Sequence, residues 1–158
     1  MSNTEHEKIR EMIRQKEQPP LALDAGQTAL MIVDVQRFFT RPDSEFAQVF
    51  QKLAPGAIDG YFERVNRCVL PKIQELQRCF RALNLPVIFC VFGSHAVDGR
   101  DLPCWLKDFD KLGLQLLGRR PNPVVNGDSW AVEDAIAPAV RNHAHPRIFN
   151  PGWACDGI

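Results

Sequence analysis

The run Thr28-Ala-Leu-Met-Ile-Val-Asp34 most constrains what this chain can fold into. Ala29, Leu30, Met31 and Ile32 precede Val33 without a polar break, so nothing alternates. A short strand with no polar side to turn to water is expected to be buried on both faces, as a central parallel strand is. Pro86-Val-Ile-Phe-Cys-Val-Phe92 is a second run of the same kind. Between the two, Ile58, Phe62, Val65, Val69, Ile73, Leu76, Phe80 and Leu83 recur in steps of three or four and predict one apolar stripe along a helix. Pro71 falls inside that stripe and should kink or divide the helix. Strand, helix and strand in this order predict a βαβ unit with a right-handed crossover.

The remaining segments are less regular. Residues 4–18 mix acids and bases with Ile9, Met12 and Ile13 and read as a short solvated helix ended by Pro19-Pro20, within an N-terminal extension covering 1–27. Residues 37–57 predict a loop with at most a turn or two of helix. Residues 95–127 predict a long connection, a length that compact domains keep for site-building loops. Asp128 is placed to cap a short acidic helix ended by Pro138. Arg147-Ile-Phe-Asn150 could begin a third strand, and residues 151–158 follow as a tail without pattern.

A chain of 158 residues suits one domain with a real core. Nineteen basic and nineteen acidic residues balance to a formal net charge of +0, which gives no electrostatic reason to expect nucleic acid or an anionic membrane as partner. The same balance favours self-association, so a homo-oligomer is a reasonable expectation. The first twenty residues are charged and carry no apolar run, and the five cysteines (Cys68, Cys79, Cys90, Cys104 and Cys155) form no CxxC pair, which together read as a reduced, cytoplasmic protein. No stretch is long and apolar enough to span a bilayer. No phosphate-binding loop or dinucleotide fingerprint follows either strand, and no cofactor is expected.

The chemistry begins with Asp34. Ligands of open parallel sheets bind outside the carboxyl ends of the strands, and a carboxylate whose pKa burial raises there is suited to act as a general base. The alternative is an aspartate that merely caps the loop. The segment Thr28-Ala-Leu-Met-Ile-Val-Asp-Val-Gln-Arg-Phe-Phe resembles the first motif of the isochorismatase-like cysteine hydrolases: apolar strand, Asp, one residue, Gln, then aromatics. The likeness runs on through the amphipathic helix, Pro86–His95 and Gly127-Asp-Ser-Trp130, over residues 28–150. It implies a three-layer Rossmann-like parallel sheet, here stopping after the third strand, and hydrolysis of a small amide, urea-type or isochorismate-like substrate.

In that family a thiolate attacks the carbonyl, an aspartate takes and returns a proton, and a lysine stabilises charge near the thiol. The resemblance implies that Asp34 is the aspartate, with Gln36 and Phe39 following it into the substrate pocket; His95 reads as a hydrogen-bonding loop residue or a polar group of that pocket, and Trp105 as a lid over it or as packing. The pattern breaks after Asn150: Pro151 stands where the family has its lysine, and no strand-turn-helix supplies the nucleophilic cysteine. Cys155 has no strand before it. Cys104 reads as a semi-exposed structural thiol, Cys68 and Cys79 as packing residues at the edge of the stripe, and Cys90 as part of a buried strand. Lys107 and Lys111 read as solvated, and Trp130 as a core anchor. His95 lacks the flanking ligands of the metal-dependent nicotinamidases, so no metal is expected; His143 and His145 form no constellation. The expectation is therefore an incomplete and inactive hydrolase. A non-catalytic binding or interaction module on the same fold is the alternative.

Overall fold

The computed structural model of the chain describes residues 24–137 and, ahead of them, residues 7, 8 and 10–12, which are helical. The expected strand at 147–150, the tail 151–158, His143, His145, Cys155 and most of the N-terminal extension lie outside the described residues. After a 3-10 turn at Ala25–Gln27, the described elements in chain order are β1 (Leu30–Val33), α1 (Arg37–Thr40), α2 (Glu45–Leu53), α3 (Asp59–Arg64), a π-helical segment (Val65–Val69), α4 (Leu70–Ala82), β2 (Val87–Cys90), α5 (Cys104–Leu117) and a 3-10 turn (Asp134–Ile136).

β1 and β2 pair in parallel, with Leu30 opposite Val87 and Val33 opposite Cys90. The chain is thus mixed α/β, built on a two-stranded parallel sheet. Successive side chains of a strand point to opposite faces. On one face Ile32 and Phe89 are buried with Val65, Leu70 and Ile136, and Leu30, Val87, Ile73 and Val132 pack around them. On the other, Met31 is 59% exposed and Val33 55%. The expectation of burial on both faces holds for one of them: α4 packs on the sheet from the side of Ile32 and Phe89.

The long helix is continuous but changes register at its middle. Phe62 and Val65 are buried, and the next buried position is Leu70, a step of five, followed by Ile73, Gln77 and Phe80 turned inward in steps of three and four. The step of five is the π-helical segment. Pro71 stands in the first turn of α4 and has no N–H to donate back along the helix, and the widened turn ahead of it carries the chain past the missing bond. One extra residue rotates everything after it by about 100°. Val69, Leu76 and Leu83, expected in the stripe, are consequently exposed, and Leu70 and Gln77 replace them. Cys68 and Cys79, read as packing residues, are exposed as well.

Three further expectations need correction. Residues 37–57 hold two helices, the longer one capped by Ser44, whose Oγ accepts from the Ala47 N–H at 3.2 Å. The 95–127 connection contains a helix of 14 residues, α5, which buries Leu106, Asp110 and Gly113 on one face. Asp110 accepts from Arg120 Nη1 and Asn122 Nδ2, each at 2.9 Å, and a Cβ on Gly113 would stand 2.3 Å from Cδ of Pro121. Gly118 closes the helix in the left-handed conformation at φ 71°.

The acidic helix expected from Asp128 is reduced to the 3-10 turn. Its backbone is taken up elsewhere. Phe38 N–H donates to Ser129 O, Arg37 N–H to Ala131 O, and Glu133 N–H to Val35 O, so the segment runs extended alongside residues 35–38. Side chains fasten the same seam: Arg37 pairs with Asp128 and Asp134, and Arg41 with Glu133 and Asp134. Burial pushes the Glu133 carboxyl up, but Arg41 and the Thr40 hydroxyl outweigh it and hold that carboxyl below the ordinary range.

Candidate active site

The parallel register brings the carboxyl ends of both strands level. Asp34 follows Val33 directly, and its N–H donates to Cys90 O at 2.9 Å. Its backbone is left-handed, φ 57°, a conformation that asparagine and aspartate tolerate better than other side chains but that still carries strain. The residue is exposed, yet the strand ends beneath it withdraw enough water that burial pushes its carboxyl above the ordinary aspartate range.

These two features predict a stability change of definite sign. A carboxyl whose folded pKa is raised favours folding while protonated, and that contribution is lost as pH rises through the folded value. Asp34→Asn keeps the shape and the tolerance for positive φ but cannot ionise. The variant should therefore be more stable than the wild type at neutral pH, with the difference vanishing once the pH falls below the ordinary carboxyl range. Urea midpoints measured across pH check this, and a constant difference between the two proteins would contradict it.

Past β2 the chain continues through Val91 and Phe92 to Ser94 and His95. Ser94 is buried; its N–H donates to Pro123 O and its carbonyl accepts from Val125 N–H, each at 2.9 Å. Asp101 organises the turn that follows. Its carboxylate accepts from the Ser94 hydroxyl and, at 2.8 Å, from His95 N–H. Burial pushes that carboxyl up, but the Ser94 hydroxyl and the amides of His95 and Ala96 prevail and hold it low. The His95 side chain itself is exposed. Gly93 is required where it stands, because a Cβ there would lie 2.6 Å from Cδ1 of Trp130.

The other expected site residues divide. Phe39 is half-buried in an aromatic cluster, its ring centroid 5.5 Å from that of Phe92 and 5.4 Å from that of Phe46. Gln36 meets a different arrangement from the ligand-facing one expected: it is fully buried and its amide is committed to backbone groups of Phe92 and Trp130. Trp105 is on the first turn of α5, 71% exposed, and joins no ring of the aromatic cluster. The structure thus gathers Asp34, Gln36, Phe39 and the Phe92–His95 segment at one end of the sheet, and leaves Trp105 outside that group.

Sequence reasoning missed Asp101, whose spacing from Ser94 has no local pattern to announce it. Among the described residues no group of three His, Cys, Asp or Glu side chains is arranged to hold a metal ion. None of their helices is long and apolar enough to cross a membrane.

No protein-family model and no curated protein sequence matches the chain. Among solved structures, a cysteine hydrolase from Pseudomonas syringae pv. phaseolicola 1448A is similar with a TM-score of 0.47 and 19% identity, over 78% of this chain and 48% of that one. The chain therefore spans about half the length of that protein.

Proposed function

We propose that the chain carries the first half of an isochorismatase-like cysteine hydrolase, with Asp34 as the residue that takes and returns the proton. The observation that carries this reading is the placement of Asp34: a left-handed, partly desolvated carboxylate directly after a parallel strand, level with the end of its neighbour. A raised carboxyl pKa at a strand end suits a general base, and backbone strain is often stored at functional sites. The reaction would be hydrolysis of a small amide, urea-type or isochorismate-like substrate in a three-layer Rossmann-like domain, with Phe39 and Phe92 walling the site and His95 at its mouth.

A hydrolase of this type also needs a thiolate and a cation beside it. Among the described residues Cys68, Cys79 and Cys104 are exposed on the helical stretches, and Cys90 is in β2 with its carbonyl bonded to Asp34. Cys68 and Cys79 are inside the continuous helix and Cys90 inside a strand, and Cys104, which opens α5, follows Pro103 rather than the end of a strand. The 158-residue chain alone is expected to show no turnover across amide, urea and isochorismate substrates. Turnover that disappears on Asp34→Ala would overturn that expectation while strengthening the assignment of the base. Reading the coding sequence past codon 150 tests the family: the proposal requires a frame with a Lys after residues 147–150, then a strand, a Gly and a Cys opening a helix. A second reading, a non-catalytic interaction module, is favoured by the exposed apolar face at Met31 and Val33.

A further inference from the structure

Gln36 is fully buried, and its side-chain amide meets three backbone groups. Nε2 donates to Phe92 O at 2.9 Å and to Trp130 O at 2.7 Å, while Oε1 accepts from Phe92 N–H at 2.9 Å. Phe92 thus receives from a side chain the donor–acceptor pair that a neighbouring strand would supply, just beyond the last rung of the ladder at Val33 and Cys90. Between that rung and Gln36 lie only Asp34 and Val35. A left-handed aspartate persists where the surrounding backbone over-determines it. On one side the Asp34 N–H is held by Cys90 O; on the other, Gln36 is itself bridged antiparallel to Val132.

We propose that Gln36 is a positioning residue for Asp34: its amide clamps Phe92 and Trp130 to the end of β1, and the clamp holds the left-handed turn that presents the carboxylate. The inference rests on the reading of Asp34 as the base, but its test needs no turnover. Only a neutral amide suits the partners. They are one N–H and two carbonyls, so a carboxylate would face two acceptors, and an apolar side chain would take the side-chain partner from all three part-buried groups.

The test compares the wild type with Gln36→Met and Gln77→Met by NMR, under conditions where each is folded. Gln77 is the control, since it is also buried and its amide donates to Ile136 O at 2.9 Å, between α4 and the 3-10 turn rather than at the strand ends. Two signals are followed, the exchange of the Asp34 amide hydrogen and the titration midpoint of the Asp34 carboxyl. Gln36→Met is expected to speed Asp34 amide exchange about tenfold or more relative to Gln77→Met and to move the carboxyl midpoint, while Gln77→Met leaves both near the wild type. Gln36→Asn keeps the amide but falls one methylene short of its partners; it should behave like Gln36→Met and carries the test if that variant does not fold. Unchanged Asp34 signals in the Gln36 variants, or equal changes in Gln77→Met, would overturn the proposal. A wild-type midpoint at the ordinary aspartate value would count against the base reading instead, and the exchange comparison would still decide the clamp.

Discussion

Phe38→Ala should remove about 3–5 kcal/mol of stability, the largest loss expected of any single substitution among the described residues. Phe38 is 1% exposed and stands at the centre of the aromatic cluster. Its ring meets Phe39 at 4.8 Å, Phe46 at 5.6 Å, Phe92 at 5.7 Å and Phe109 at 6.4 Å between centroids, each edge-on. Those partners come from α1, α2, the extension of β2 and α5, so one ring joins four elements. Edge-to-face pairs add about 0.5–1.5 kcal/mol each beyond the area they bury, and truncation would leave a cavity that four rings on separate elements cannot collapse to fill. Native domains are stable by only about 5–15 kcal/mol, so the variant should unfold at a much lower urea concentration. It should also loosen Phe39 and Phe92, which stand beside the Asp34 end of the sheet. A stability loss of less than about 1 kcal/mol would mean that the cluster repacks and that Phe38 is not its keystone.

The parts of this arrangement that local pattern encodes were legible. Both strands, the helix between them and the position of Asp34 follow from apolar runs and their spacing, because a strand or helix declares its period over a few residues. What stayed hidden depends on partners far along the chain or on residues that hydrophobicity does not score. The inward face of α5 contains Asp110 and Gly113 beside Leu106: the aspartate is inward because Arg120 and Asn122 satisfy it, the glycine because Pro121 leaves no room for a Cβ. Leu106, Phe109, Leu112 and Leu116 recur there in steps of three and four, and the inward Asp110 and Gly113 interrupt the stripe they make. The register change at the π-helical segment is similar, since Pro71 announces a disturbance but not its sense. Residues 128–137 carry the caps and acids of a helix start, and their backbone is instead claimed by residues 35–38. Gln36 was legible as a motif residue, and the three bonds that define its role come from segments 56 and 94 residues away.

The second large effect is on association. β1 pairs with β2 along one edge, and among the described residues its other edge has no strand partner. The same strand presents Met31 and Val33, 59% and 55% exposed, on the sheet face away from α4. An unpaired edge beside an apolar face is a template for another chain, and a net charge of zero supplies no repulsion to oppose it. Full burial of one such side chain contributes about 1.5–3 kcal/mol, so covering both in a contact between two copies is a substantial gain before its entropic cost. The chain is expected to self-associate as its concentration rises, seen as a concentration-dependent sedimentation coefficient. The double variant Met31→Lys/Val33→Lys should sediment as a monomer over the same range. Its thermal midpoint should change little, because neither side chain is part of the core around Ile32 and Phe89. A wild-type chain that stays a single monomeric species with a sharp unfolding transition would refute this, and would require that something within the chain already covers the face. If association occurs and the lysine variant abolishes it, the exposed face is the cause.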